Sequence, residues 1–125
     1  MEGVIDIKPL TDQYQDYLRD ESGMVGFGES ISFPRSLEEI SEIVKDCNEK
    51  GIPVTVQGSR RGVTAAAVPF GGHILNLERM KEIRLLEPDE KHPQERAVLV
   101  EPGVTLKEIN EYVRMQTKDE YFLPP

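Results

Sequence analysis

Residues 30–57 read SISFPRSLEEISEIVKDCNEKGIPVTVQ, and the order of patterns within them decides the fold. The middle of the stretch repeats at helical spacing: Leu37, Ile40, Ile43, Val44 and Cys47 share one face of a helix that starts after Ser36. Ser36 is a natural N-cap, and Glu39, three positions on, gives the pattern of a capping box. Gly51 stands where a helix ending calls for a left-handed residue. On either side lie runs suited to strands, SISFP ending at Pro34 and IPVTVQ with its β-branched residues. Strand, helix and strand in this order predict a right-handed crossover joining parallel strands.

Working outward, PLTDQYQDYLRD at 9–20 places Leu10, Tyr14, Tyr17 and Leu18 on one helical face, and the glycine-containing ESGMVGFGE follows as a loop. Downstream, HILNL reads as another strand, and residues 78–82 turn the chain. IRLLEP and RAVLVEP then read as a hairpin across the polar DEKHPQE. GVTLKEINEYVRMQ opens a second helix, with Thr105 and Glu108 as its capping box and Leu106, Ile109 and Val113 facing inward. The expected architecture is α+β, a short mixed sheet flanked by helices, in one domain over residues 1–125. The final YFLPP closes neither a helix nor a central strand, so the domain is expected to be a partial one.

Composition excludes several classes of function. A net charge of −8 disfavours nonspecific binding to nucleic acid or to an anionic membrane. No apolar run approaches a membrane span, and MEGVIDIKPL lacks the basic and apolar regions of a secretory leader, so a cytoplasmic location is expected. With Cys47 as the only cysteine, an intrachain disulfide and a cysteine metal cluster are ruled out. His73 and His92 have no partner at metal spacing, and no metal site is expected. Glu38, Glu39 and Glu42 read as a solvated helix face, and Tyr112 and Tyr121 as packing residues.

The chemistry-bearing segment is QGSRRGVTAAAVPFGG, residues 57–72, between two predicted strands. Gly58 and Gly62 are free to take backbone angles barred to other residues, and Ser59, Ala65, Ala66 and Ala67 keep side-chain bulk low. Several N–H groups pointing one way make an anion nest, whose natural occupant is phosphate, with Arg60 or Arg61 adding a charged hydrogen bond. Neither a terminal Gly-Lys-Ser/Thr nor Gly-x-Gly-x-x-Gly is present. The same residues also suit a plain tight turn with solvated arginines.

The succession of these landmarks, from SISFP through QGSRRGVTAAAVP, HILNL and EPGVTLKEINEYV to FLPP, resembles the FAD-binding domain of the flavoprotein oxidoreductases that include vanillyl-alcohol oxidase, glycolate oxidase and D-lactate dehydrogenase. The resemblance spans roughly residues 17–125 and is strongest to the glycolate oxidase and D-lactate dehydrogenase branch. It implies the first subdomain of the PCMH-type FAD-binding fold, with the substrate domain absent. It implies FAD as cofactor, with its pyrophosphate along Gln57, Gly58, Ser59, Arg60, Arg61, Gly62, Thr64 and Ala65. Arg61 stands where covalent relatives often carry a histidine, which implies noncovalent FAD. Gly103 and Thr105 match a turn near the cofactor, and Leu123–Pro125 the start of a flavin-contacting segment. Full-length relatives would oxidise a 2-hydroxy acid, whereas no residue of this chain is assigned a catalytic role, so catalysis by the chain alone is not expected. The alternatives are a noncatalytic phosphate- or nucleotide-binding module, or one subunit of a split flavoenzyme. An uncovered sheet or helix face further predicts a homodimer or a complementary flavoenzyme subunit as partner.

Overall fold

The computed structural model describes residues 6–62 and 64–123. The chain divides into two compact units, residues 1–79 and 80–125.

The first unit contains strands β1 (Lys8–Pro9), β2 (Ser30–Ser32), β3 (Val54–Gln57) and β4 (His73–Asn76), with helix α1 (Leu37–Glu49) between β2 and β3. The sheet order is β1-β2-β4-β3. β1 is an antiparallel edge, while β2, β4 and β3 run parallel. The crossover read from residues 30–57 is therefore present, but it does not join neighbours: β4 slots between the two strands that α1 connects. β4 is buried along its whole length, as a central parallel strand should be.

Side chains alternate across this strand. Ile74 meets Ile31 and Leu18 on one face, with Leu10, Tyr14, Tyr17 and Phe33 packed around them. Leu75 meets Ile43 and Cys47 of α1 on the other, with Ile40, Ile52, Val54 and Leu77 around. Each fully buried aliphatic side chain contributes roughly 1.5–3 kcal/mol over its exposed state. The helix stripe is narrower than its sequence pattern: Ile43 and Cys47 are buried, whereas Leu37 and Val44 face solvent. Leu37 begins the helix, and Val44 lies at the edge of the buried arc.

Both ends of α1 are built by local hydrogen bonds. Ser36 Oγ accepts from the Glu39 amide at 3.2 Å. The expected reciprocal bond is absent, because the Glu39 carboxylate accepts instead from the Arg35 amide at 2.5 Å. At the other end the Gly51 amide donates to Asn48 O and the Ile52 amide to Cys47 O, with Gly51 at φ +67°. That is a Schellman ending, and it needs the left-handed residue. The upstream segment forms a 3-10 helix over Asp12–Leu18, kinked at Tyr14, in place of a regular α-helix.

The second unit contains β5 (Ile83–Leu85) paired antiparallel with β6 (Val98–Val100), followed by α2 (Leu106–Gln116). Here the capping box is complete: Thr105 Oγ1 accepts from the Glu108 amide at 3.2 Å, and Glu108 Oε1 accepts from the Thr105 amide at 3.0 Å. That bond and the Lys81 ammonium hold the Glu108 carboxyl below its usual range. Val113 is buried and Ile109 half-buried, while Leu106, expected to face inward, is exposed at the first turn.

Candidate functional site

β3 and β4 are parallel neighbours joined by an irregular loop, residues 58–72, where a helix is the usual connection. A long structureless connection in a compact fold is commonly a functional one.

The loop is fixed at its base by a buried amide pair. Gln57, 1% exposed, donates from Nε2 to Tyr17 O at 2.6 Å and to Ala67 O at 2.8 Å, and accepts from Asn76 Nδ2 at 3.0 Å. Its side chain is thus spent on protein, and it ties the outgoing limb of the loop to the returning one. The returning limb is also held. Val68 and Pro69 are buried, Pro69 O accepts from the Phe27 amide at 2.9 Å, and the Gly71 amide donates to Phe27 O at 2.7 Å.

The outgoing limb differs. Ser59, Arg61, Gly62, Thr64 and Ala66 are exposed. The amides of Gly58, Ser59, Arg60, Arg61, Gly62 and Thr64 donate to no other described residue. Unbonded amides on an exposed, small-residue backbone are what an anion nest requires. A Cβ built at Gly62 would meet nothing within 4 Å, so open space lies against the main chain there. Positive φ falls at Arg60 (60°) and Ala65 (63°), not at the glycines expected to supply it.

The two arginines part company. Arg60 donates from Nη1 to Asp16 O, and its guanidinium lies 4.5 Å over the Tyr17 ring. Arg61 is exposed and bonds to no described residue, so it is the guanidinium available to an anion. A cleft of about 300 Å³ beside the loop is lined by Asp16, Arg19, Asp20, Glu21, Ser59 and Arg60. Asp20, only 9% exposed, was not singled out by sequence. The Ser22 hydroxyl, with the Ser22 and Ala65 amides adding to it, holds its carboxyl below the usual range against the opposing effect of burial. The Asp-x-Ser spacing of a side-chain turn was the signal that could have found it.

The remaining candidates lie elsewhere. His73 is fully buried, with Nδ1 2.7 Å from Ser30 Oγ and Nε2 2.7 Å from Ser32 Oγ. Burial pushes its imidazole below the ordinary value, so the ring is neutral. His92 is exposed in the hairpin loop. Among the described residues no group of three or more His, Cys, Asp or Glu could hold a metal ion. The Gly103 amide donates to Met80 O at 2.8 Å, and the Thr105 hydroxyl is committed to its helix cap. Leu123 is anchored by its amide on Asn110 Oδ1, while Pro124 and Pro125 lie outside the described residues.

A parallel βαβ core with a bare, amide-rich loop between adjacent strands defines a candidate phosphate-binding domain. The particular family follows from comparison with known proteins. Residues 29–124 match the family described as FAD binding domain, and the chain belongs to that family. It is 34% identical over 90 residues to the mitochondrial D-lactate dehydrogenase [cytochrome] of Arabidopsis thaliana, covering 71% of this chain and 15% of that protein. It is 37% identical over 79 residues to a D-lactate dehydrogenase of Archaeoglobus fulgidus, covering 62% and 16%. Among solved structures, p-cresol methylhydroxylase with substrate bound superposes with a TM-score of 0.70 at 26% identity, over 89% of this chain and 22% of that one. The chain spans about one-sixth of the length of the curated relatives it matches. The α+β class, the family resemblance and FAD as the family's cofactor are thereby established.

The loop fits one side of a FAD site. Its amides without a described acceptor, the open space at Gly62 and the exposed Arg61 suit a diphosphate. When bound, FAD supplies the redox chemistry, and protein supplies position and electrostatics. Among the described residues no helix is long and apolar enough to cross a membrane.

Proposed function

We propose that this chain forms one wall of the FAD site of a FAD-linked oxidoreductase, with the cofactor diphosphate lying along residues 57–62, Thr64 and Ala65. The observation that carries the reading is the run of loop amides without a described acceptor, most of them on exposed residues. Gly58, Ser59, Gly62, Thr64 and Ala65 would present main chain, Arg61 would balance charge, and Gln57 would hold the loop from below. The cofactor would be held noncovalently.

The similarity to D-lactate dehydrogenases supports oxidation of a 2-hydroxy acid by the complete enzyme, in which this chain would be the N-terminal part of the FAD domain. One similar protein, from Pseudomonas putida, is the flavoprotein subunit of 4-cresol dehydrogenase, which favours a complementary subunit as a second reading. Exposed apolar residues such as Phe27, Phe70 and Leu99 support association with such a subunit or with a second copy, and a cytoplasmic location is the compartment we favour.

Fluorescence titration of the purified chain with FAD tests the central claim. Quenching that is lost in Gly58→Val, which blocks backbone approach, is the expected result. Equal affinity in the variant would reject the loop assignment.

A further inference from the structure

Residues 16–22 lie ahead of the span that matches the FAD binding domain family, yet they contact the base and the outgoing limb of the candidate loop. Tyr17 O receives Gln57 Nε2 at the loop base. Asp16 O receives the Arg60 guanidinium, and Tyr17 carries that guanidinium on its ring face. The Glu21 amide donates to Gly62 O at 3.0 Å. Asp20 is buried beside the loop, its Oδ1 fixed by the Ser22 amide at 2.7 Å and its Oδ2 buried without a described partner.

These contacts fall on the strained positions. Arg60 and Ala65 hold left-handed backbone at φ 60° and 63° without being glycine. That conformation is strained for a non-glycine residue and persists only when surroundings impose it. The surroundings here are Asp16 and Tyr17 at the first position, with the Asp20 carboxylate near the second. Arg60 Nε is sealed from solvent without a described partner, so this guanidinium is packed down rather than poised to swing out. A buried carboxylate beside an anion nest would repel a diphosphate if its only role were charge, whereas the bond from the Ser22 amide gives it a structural one.

We propose that residues 16–22 are a clamp that presets the diphosphate loop, with Arg60 and Asp20 as its positioning residues and Arg61 as the charge that meets the ligand. The proposal rests on the reading of the loop as a diphosphate site, and it makes the two adjacent arginines functionally unequal.

The test has a ligand-free arm and a ligand arm, on the full chain. Amide hydrogen exchange is compared for wild type, Arg60→Met, Asp20→Ala, Asp20→Asn and Arg61→Met. The clamp predicts faster exchange across residues 58–67 in Arg60→Met and Asp20→Ala, unchanged exchange in β2 and β4, and partial rescue by Asp20→Asn, which keeps an acceptor for the Ser22 amide. Arg61→Met should leave exchange alone. FAD titration at several salt concentrations then separates position from charge. Arg60→Met should weaken binding about tenfold with the salt dependence of wild type, and Arg61→Met should flatten that dependence. Unchanged loop exchange in Arg60→Met overturns the clamp, as does a flattened salt dependence in that variant. If exchange rises as expected but wild type binds no FAD, the clamp stands and the cofactor reading falls. Should Asp20→Ala fail to fold, Arg60→Met carries both arms.

Discussion

Gln57 and Asn76 face each other at the C-terminal ends of two adjacent parallel strands, paired in register and joined side chain to side chain at 3.0 Å with both residues buried. Asn76 Oδ1 also accepts from the Glu78 amide, so the pair ties together the 3-10 helix, the loop and the exit of β4. Replacing Gln57 by alanine orphans Asn76 Nδ2 and two carbonyls at once. A buried polar group left unpaired costs about 1–3 kcal/mol, so Gln57→Ala should lose at least ~2 kcal/mol by urea denaturation. Thr64→Ala, on the exposed limb, should stay within about 0.5 kcal/mol of wild type. Equal stability of the two variants would show that the pair is not an anchor.

His73 predicts an acid-sensitive fold. The ring bridges Ser30 and Ser32 on β2, and Asp46 of α1 is the charged group that acts on it, raising a pKa that burial lowers more. The unfolded imidazole takes up a proton near pH ~6.5, while the folded one resists. The unfolded state therefore binds more protons in that range, and stability falls as pH drops below about 6.5 toward the folded value. The urea midpoint should decline between pH 7.5 and pH 5, and His73→Gln should remove most of that slope. A slope that survives the substitution would assign it to other groups.

Much of the first unit was legible because its signals are local. Ser36 and Gly51 bracket α1 by side-chain and backbone chemistry alone, and both act as their types require. The insertion of β4 between β2 and β3 was not legible, since no local pattern states which strands become neighbours. The 3-10 form of Asp12–Leu18 was missed because Leu10, Tyr14, Tyr17 and Leu18 cluster equally well along a kinked turn. At the site, the bare loop could be read from glycine and alanine. The division of labour between Arg60 and Arg61 could not, because it depends on where Tyr17 stands.

Tyr17 gives a spectroscopic check on the same corner. Burial first, and then its hydrogen bond to the Glu78 carboxylate, push its phenol up to about 12. Phenolate forms less readily in the folded chain, so stability is intact below pH ~10 and falls as pH rises from there toward 12. Absorbance titration of the native protein should show one tyrosine ionising last, and Tyr17→Phe should delete that late step. A full phenolate signal by pH 10.5 under native conditions would contradict the buried pairing.

Gly26 and Gly62 separate what the fold needs from what a ligand would need. A Cβ at Gly26 would lie 1.8 Å from Pro69 O, inside the backbone of the loop's returning limb. Gly26→Ala must move that limb, and a loss of about 4 kcal/mol is expected from an overlap no rotamer relieves. Gly62 is the opposite case: nothing lies within 4 Å of its built Cβ, and its φ is not positive. The folded chain therefore has no steric reason to require glycine there. Gly62→Val should leave the thermal midpoint nearly unchanged, yet its side chain would fill the space in which a diphosphate reaches the free amides. FAD affinity should drop at least about tenfold, or ~1.4 kcal/mol. Retained affinity with retained stability would place the cofactor away from this limb, because the substitution alters only the open side of the loop.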